Sequence, residues 1–153
     1  MPLEIERKFL VLNESYKVNA QKRLFRQGYL SSHPLRVVRI RIADEVATLT
    51  IKGPSTGTTC QEFEYPLPLS EAEELLELCE RPIIEKYRYL VDHQGMRWEV
   101  DEFLGDNQGL VIAEIELPHE EAPFVKPDWA GEEVTGDPRY YNARLMHHPY
   151  TTW

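Results

Sequence analysis

Acidic and basic residues recur at every second position along this sequence. Near the N-terminus, Glu4, Glu6 and Lys8 alternate with other residues. The same spacing organises six further segments: Arg39 with Arg41, Lys52 with two threonines, Glu62 with Glu64, Lys86 with Arg88, Arg97 with Glu99 and Asp101, and Glu114 with Glu116. Because successive side chains of a strand point to opposite faces, each set lies on one face of its strand. Together these faces hold eight carboxylates and seven cations.

Such a face suits a ligand that carries both signs of charge. Arginine and lysine recognise phosphate oxygens, and clustered carboxylates bind hard cations such as Mg²⁺ or Mn²⁺, which share phosphates. The combination is typical of a metal–polyphosphate site. A solvated face of an antiparallel sheet is the alternative, although like charges two residues apart repel each other unless a ligand or ion compensates. The residues alone leave both interpretations open.

The elements that must position these residues are short strands. Alternation and turn residues predict eight of them, at 3–12, 25–32, 36–43, 46–52, 60–67, 83–92, 96–103 and 110–117. Crossover helices are missing between most of them, which argues against a parallel sheet. We therefore predict a mainly β fold, with the strands forming an antiparallel barrel or a highly curved sheet. A closed barrel of about eight strands can hold one small ligand.

Helices are few in this sequence. Ser70 and Glu73 form a capping box at the start of a helix that we expect Pro82 to end. Pro138 suits the first position of a short C-terminal helix. We expect Trp98, with Tyr87 and Tyr89, to face outward and pack against helices. We find no repeat or linker, so residues 1–153 are predicted to form a single domain.

Composition excludes several classes of protein. The chain has 17 Lys and Arg against 26 Asp and Glu, a net charge of −9, which argues against nucleic acid as a partner. No long apolar run predicts a membrane span, and the charged N-terminus lacks the apolar region of a signal peptide. The two cysteines form no disulfide framework. We expect a cytoplasmic protein, and a homodimer is plausible because outward apolar strand faces exceed what few helices can cover.

The ordered set of motifs resembles a known family. Glu4-Ile5-Glu6-Arg7-Lys8 is an ExExK signature at the start of the first strand, and the pairs described above follow it in order. Residues 135–142 (TGDPRYYN) add a further segment of this kind. The sequence resembles the CYTH superfamily, the triphosphate tunnel metalloenzymes, especially its short bacterial members. The resemblance implies an eight-stranded antiparallel barrel with a few flanking helices, whose tunnel hydrolyses a terminal phosphoanhydride with a divalent metal.

Roles follow from the resemblance for matching positions. Metal ligands are implied at Glu4, Glu6, Glu114 and Glu116, with Asp101 helping a second metal. Triphosphate contacts are implied at Lys8, Arg39, Arg41, Lys52, Lys86 and Arg88. Tyr29 resembles the tyrosine that short bacterial members place near the ExExK lysine.

We expect water to attack the terminal phosphorus in line. A Tyr29–Lys8 pair could orient or deprotonate this water if cationic neighbours lower the pKa of Lys8. Glu62 and Glu64 could be metal ligands, orienting groups for the basic side chains, or the base that activates water. We expect Tyr140 and Asn142 to pack or hydrogen-bond the C-terminal helix across the tunnel.

The substrate is less constrained than the chemistry. No segment beside the charged faces is suited to stack or read a purine, which favours inorganic tripolyphosphate, with pyrophosphate and phosphate as products. The alternatives are a class IV type of adenylate cyclase, a nucleoside or thiamine triphosphatase, and a noncatalytic module that binds polyphosphate.

Overall fold

Nine strands and two helices make up the described chain. The computed structural model describes residues 3–56 and 58–153. The strands are β1 (Leu3–Val11), β2 (Gln21–Ser31), β3 (Val37–Ala43), β4 (Val46–Thr56), β5 (Thr59–Leu67), β6 (Glu80–His93), β7 (Met96–Phe103), β8 (Val111–Glu116) and β9 (Ala130–Glu133). The helices are α1 (Leu69–Leu78) and α2 (Asn142–His147). Short 3-10 turns lie at Glu14–Lys17, Gly105–Asn107, Pro138–Tyr140 and Tyr150–Thr152.

Eight strands close into an antiparallel barrel. Their order is β5-β4-β3-β2-β6-β7-β8-β1, and β1 pairs back onto β5 through Leu3 opposite Gln61 and Ile5 opposite Thr59. The predicted mainly β barrel is therefore confirmed, and the sheet closes rather than remaining curved and open. The ninth strand, β9, pairs with β1 beyond the barrel, with Phe9 opposite Glu133.

Tight turns set the register of neighbouring strands. Asp44, with a positive φ of 56°, joins β3 to β4, and Gln94 and Gly95, at 51° and 77°, join β6 to β7. Residues with positive φ match the twist that a two-residue hairpin needs. Both hairpins are where the sequence predicts them.

Four details differ from the sequence predictions. Strand β2 begins at Gln21 instead of 25, and β9 falls in a Pro-rich acidic tail without strand alternation. Helix α1 starts two residues earlier than the Ser70 cap predicts: Pro68 occupies the cap position and its carbonyl accepts from the Ala72 N–H, so Ser70 is not the cap. The helix ends at Leu78, and Pro82 lies within β6 instead of ending the helix.

Apolar clusters cover the outside of the barrel. Trp98 is completely buried and packs in a cluster with Phe9, Tyr16 and Trp129. Trp98 faces outward as expected, but its cluster is completed by Tyr16 of the 3-10 turn and by the tail that follows β8, including Ala122, and not by α1 or α2. Buried aromatic pairs of this kind contribute stability beyond their burial alone.

Helix α1 covers a second patch of the outer surface. Its Ala72 and Leu76 pack on Ile40 and Ile42 of β3. The helix approaches closely at its C-terminal end, because a Cβ at Gly28 would lie 2.8 Å from the Cβ of Cys79. No helix among the described residues is long and apolar enough to cross a membrane.

The C-terminal segment fills one end of the barrel. Leu145 and Met146 of α2, with Tyr140 just before it, form an apolar cluster with Ile84 and Phe103. The last two are on the inward-facing side of β6 and β7, in line with Lys86 and Asp101. The predicted short helix after Pro138 is therefore confirmed as a turn followed by α2, and it seals the interior with apolar contacts.

Candidate active site

Strand register gathers the alternating charged residues inside the barrel. Glu6 lies opposite Glu116, and Lys8 lies opposite Glu114, which in turn lies opposite Glu99. These side chains surround a cavity of about 1050 Å³. The following predicted site residues line it: Glu4, Glu6, Lys8, Tyr29, Arg39, Arg41, Lys52, Glu62, Glu64, Lys86, Arg88, Glu114 and Glu116. Asp101 alone of the predicted set does not.

The charges inside the barrel are sorted by strand. The acidic arc, formed by β7, β8, β1 and β5, carries Glu99, Glu114, Glu116, Glu4, Glu6, Glu62 and Glu64. The basic arc, formed by β4, β3, β2 and β6, carries Lys52, Arg39, Arg41, Lys86 and Arg88. Lys8, on β1, is the basic residue within the acidic arc, and Asp101, on β7, is the carboxylate that pairs with the basic arc.

The acidic arc holds more negative charge than its surroundings neutralise. Burial and the neighbouring Glu6 raise the pKa of Glu114. Burial and a hydrogen bond with Glu62 raise the pKa of Glu4, and burial also raises the pKa values of Glu99 and Glu116. Carboxylates that resist ionisation in this way gain stability from a cation placed among them.

Lys8 lies among these carboxylates. Its ammonium is 3.6 Å from Glu6 and 3.7 Å from Glu114, and it lies 5.1 Å from the ring centre of Tyr141. Burial alone lowers the pKa of Lys8, but Glu114 and Glu6 outweigh burial, so the net change is upward. The premise that cationic neighbours lower this pKa is therefore wrong, since the neighbours are acidic.

Tyr29 does not pair with Lys8 in the described structure. Its hydroxyl accepts a hydrogen bond of 3.1 Å from Gln27, whereas the Lys8 ammonium faces carboxylates. Burial raises the pKa of Tyr29, although Arg39 lowers it. A phenol whose pKa is raised stays protonated near neutral pH. It can therefore donate a hydrogen bond but does not act as the base that takes a proton from water.

The basic arc has the opposite imbalance. Burial, then the cations of Arg39 and Arg88, lower the pKa of Arg41 to about 10. The Nε of Arg39 is buried with no hydrogen-bond partner in the described chain, while its Nη2 donates to Thr50 at 3.2 Å. The ring of Phe25 lies 4.9 Å from Arg41 and 4.6 Å from Arg88. Buried guanidinium groups without counterions form a binding surface for an anion.

Asp101 holds the lysine and arginine of β6. Its two oxygens accept from Lys86 at 2.7 Å and from the Arg88 fork at 2.8 and 2.9 Å, and its side chain is 2% exposed. These cations hold the pKa of Asp101 well below its usual range, although burial opposes them. Asp101 is not among the residues that line the cavity, and each of its oxygens already accepts a hydrogen bond from Lys86 or Arg88, so its role as a metal ligand stays a prediction.

Lys86 shares that single carboxylate with Arg88. Burial lowers the pKa of Lys86 to about 8, because the charge of Arg88 offsets much of what Asp101 provides. The Arg88 guanidinium donates two hydrogen bonds to Asp101, and the pKa of Arg88 is raised despite burial. Of the two cations, Lys86 is the one that has no full counterion.

Two inward-facing residues, Glu99 and Gln27, were not among the predicted site residues, and Asn142 was expected only to pack or hydrogen-bond across the tunnel. Glu99 lines the cavity and accepts from Arg88 at 2.8 Å, and its spacing of two from Asp101 was the available signal. Gln27, completely buried, has the same strand parity as Tyr29. Asn142 of α2 reaches into the barrel, where its side-chain oxygen accepts a hydrogen bond of 2.9 Å from Lys86 on β6. It therefore hydrogen-bonds across the interior as expected.

Other candidates lie away from this chemistry. Arg97 is exposed and pairs with Asp92 at the β6–β7 turn, so six of the seven predicted cations lie inside. His147 lies beside Ser32 at 3.0 Å and Glu80 at 3.7 Å. Tyr140 is part of the apolar C-terminal cluster.

Comparison with known proteins identifies the family. The model of the CYTH domain matches residues 2–145. The chain belongs to the CYTH domain family. This CYTH chain is 55% identical over 151 residues to an inorganic triphosphatase of Acetivibrio thermocellus, covering 98% of this chain and 97% of that protein. It is 36% identical over 150 residues to an inorganic triphosphatase of Nitrosomonas europaea, covering 93% and 95%.

A solved structure agrees with these relationships. The crystal structure of an inorganic triphosphatase matches this CYTH chain with a TM-score of 0.68 and 33% sequence identity, covering 93% of this chain and 96% of that one. The family resemblance predicted from the motifs is therefore confirmed. Membership of the CYTH family implies dependence on a divalent metal ion.

The acidic arc fits such an ion by its chemistry. Its donors are carboxylate oxygens, the ligands that hard divalent cations prefer, and several have raised pKa values through burial and mutual repulsion. Within residues 3–56 and 58–153, no three His, Cys, Asp or Glu side chains are already grouped around one point as ligands.

Proposed function

We propose that this CYTH protein is an inorganic triphosphatase, which hydrolyses tripolyphosphate to pyrophosphate and phosphate with Mg²⁺ or Mn²⁺. The observation that carries the proposal is the pair of facing arcs, each with unbalanced buried charge of opposite sign. A divalent cation would neutralise the acidic arc, and a triphosphate would neutralise the basic arc. Neither ligand alone would balance both walls of the cavity.

The metal would be held by the acidic arc. Glu4, Glu6, Glu114 and Glu116 are the proposed ligands, because they lie on adjacent strands around one part of the cavity. When bound, a divalent cation draws electron density from phosphoryl oxygens and neutralises developing charge.

The triphosphate would lie along the basic arc. Its proposed contacts are Lys8, Arg39, Arg41, Lys52, Lys86 and Arg88, all of which line the cavity. The buried Nε of Arg39 would gain a hydrogen-bond acceptor. Preorganised cations of this kind stabilise charge that spreads over phosphoryl oxygens during phosphoryl transfer.

Glu62 and Glu64 have positions that favour an orienting role. Glu62 lies opposite Lys52 in the sheet and its charge acts on Lys52, and the charge of Glu64 acts on Arg41. We propose that they hold these basic side chains in place while either carboxylate is near enough to the cavity to accept the proton of the attacking water. Tyr29 then contributes as a hydrogen-bond donor and not as a base.

The decisive experiment is a substrate comparison. Purified protein is given tripolyphosphate, ATP or thiamine triphosphate with Mg²⁺ or Mn²⁺, and phosphate release is measured with and without EDTA. We expect preference for tripolyphosphate and loss of turnover in EDTA. Preference for ATP, or conversion of ATP to cyclic AMP, would contradict the proposal, and tight binding without turnover would favour the noncatalytic module.

Three other sequence predictions stay predictions. We propose that residues 1–153 act as one domain, that the protein works in the cytoplasm, and that two copies associate. Exposed apolar residues such as Leu24, Val46 and Ile51 on the strands support association. Sedimentation at micromolar concentration that gives only particles of about 18 kDa would rule out the homodimer.

A further inference from the structure

A continuous chain of hydrogen bonds lies along the barrel wall between Lys86 and Tyr29. The Lys86 ammonium donates to the Asn142 side-chain oxygen at 2.9 Å, and Gln27 Nε2 donates to the same oxygen at 3.1 Å. Gln27 Nε2 also donates to the Tyr29 hydroxyl oxygen at 3.1 Å. The chain joins β6, α2 and β2, so it depends on the C-terminal segment being docked.

The chemistry of these groups determines the direction of every bond in this chain. An ammonium only donates, so Asn142 must present its oxygen to Lys86. That oxygen cannot accept from another oxygen, so Gln27 must present its amide nitrogen. Tyr29 then receives a hydrogen bond and must direct its own proton elsewhere.

The Tyr29 hydroxyl is free to donate its hydrogen bond into the cavity. Tyr29 is 3% exposed and lines the cavity, and its hydroxyl donates to no residue in the described chain. The charges of Arg39, Lys52 and Lys8 act on it, so this side of the cavity suits an anion. An oxygen of a bound phosphate is the acceptor that such surroundings favour.

Gln27 also carries a structural cost. Its Oε1 is buried with no hydrogen-bond partner among the described residues, and an apolar side chain would avoid that penalty. The penalty is explained if the amide is needed for its two donated hydrogen bonds.

We propose that Gln27 and Asn142 are positioning residues that hold the Tyr29 hydroxyl as a hydrogen-bond donor to a phosphoryl oxygen in the cavity. The inference rests on the proposed function, because it requires a phosphorylated substrate. Gln27 and Asn142 act through Tyr29 and not by contact with the substrate.

Gln27→Glu tests this arrangement with a side chain of nearly the same shape. The new carboxylate accepts a hydrogen bond from the Tyr29 hydroxyl, which then no longer points into the cavity. The value of kcat/KM for tripolyphosphate should therefore fall about tenfold, the effect of one hydrogen bond. In a Tyr29→Phe background, Gln27→Glu should cause little further loss of kcat/KM, because the hydroxyl that it would reorient is already missing. An equal loss in both backgrounds, or no loss in either, would overturn the inference.

Asn142 provides a second test if Gln27→Glu does not fold, as judged by thermal unfolding. Asn142→Asp keeps an oxygen for both donors and should lose less activity than Asn142→Leu. The loss caused by Asn142→Leu should be smaller in the Tyr29→Phe background than in the wild type. Equal losses for the two Asn142 variants, or equal losses in both backgrounds, would contradict the inference.

The same sets of variants, in the wild-type and Tyr29→Phe backgrounds, are also compared by the rise in Tm that tripolyphosphate causes. This rise requires binding but no turnover. If binding shows the expected coupling and no phosphate is released, the positioning role stands and the proposed function fails. If phosphate is released without coupling, the proposed function stands and the positioning role fails. Absence of both binding and release would overturn both.

Discussion

The acidic and basic arcs of this barrel differ in how their charges are balanced. On the acidic arc, Glu114 faces Glu6 and Lys8, and its pKa is raised by burial and by Glu6. On the basic arc, Asp101 accepts hydrogen bonds from Lys86 and Arg88, whereas no carboxylate among the described residues hydrogen-bonds Arg39 or Arg41. The acidic arc therefore needs a cation, and the unpaired part of the basic arc needs an anion.

This difference shows why a protein with a net charge of −9 can be suited to a triphosphate. Net charge describes the sum of all residues, but the recognition of a ligand depends on charges buried at one place. Here the closed barrel separates the two signs onto opposite walls, where solvent screens them little.

The largest effect is expected for Asp101→Asn, which removes the shared carboxylate of the basic arc. Lys86 would lose its carboxylate partner and Arg88 would keep only Glu99, so the free energy of unfolding should fall by about 3 kcal/mol. Urea unfolding measures this change, and Asp92→Asn is the control because its pair with Arg97 is exposed. The Mg²⁺ concentration for half-maximal activity should stay as in the wild type. An increased Mg²⁺ requirement with unchanged stability would restore Asp101 as a metal ligand.

Glu114→Gln should have the largest effect on activity. Loss of a carboxylate from the acidic arc should lower kcat on the order of 100-fold and raise the Mg²⁺ requirement. Phosphate release over a Mg²⁺ titration measures both quantities. Glu45→Gln, at the exposed β3–β4 turn, is the matched control. Full activity of Glu114→Gln at the ordinary Mg²⁺ concentration would show that this carboxylate of the acidic arc is not needed for Mg²⁺-dependent activity.

Arg39→Ala tests the opposite wall. It should lower kcat/KM for tripolyphosphate roughly 10- to 30-fold, since a charged hydrogen-bond donor to phosphate is lost. Steady-state kinetics at saturating Mg²⁺ measure the change, and Arg97→Ala controls for removal of an exposed guanidinium. If Arg39→Ala shifts the Mg²⁺ requirement as strongly as Glu114→Gln, the two arcs do not have separate roles.

A smaller effect concerns pH and stability without divalent cations. Glu4, Glu99, Glu114 and Glu116 have pKa values raised above 4.5 in the folded state. Their contribution to stability is fully present below pH 4.5, the ordinary pKa of glutamate, and is lost as pH rises through the higher pKa values of the folded state. In EDTA, Tm should therefore fall by roughly 2–5 °C between pH 5 and neutrality. Saturating Mg²⁺ should reduce this slope, and an unchanged slope would contradict a cation site on this arc.

Much of the candidate site could be predicted from strand parity. Alternation placed residues such as Glu6, Arg39 and Glu116 on inward faces, because a period of two determines the face whatever the partner strand. The Arg88–Asp101 contact was also within reach: a turn at Gln94 and Gly95 pairs residues whose numbers add to 189, which includes Arg88 with Asp101.

The sorting into arcs could not be predicted in this way. The sorting depends on which strands are neighbours around the barrel. Pairs such as β2 with β6 bring together segments that are distant in the sequence, and no turn between them reveals the pairing. Gln27 and Asn142 are 115 residues apart, so no local pattern links them. The raised pKa of Lys8 follows from the same cause, since Glu114 is far away in sequence.

Binding of Mg²⁺ without tripolyphosphate tests the separation of the two arcs most directly. Calorimetric titration of Mg²⁺ into the wild type, Glu114→Gln and Arg39→Ala compares one change on each wall. We expect Glu114→Gln to weaken Mg²⁺ binding at least about tenfold, whereas Arg39→Ala should leave it unchanged or strengthen it, because a nearby positive charge is removed. Equal weakening by both variants would contradict the account.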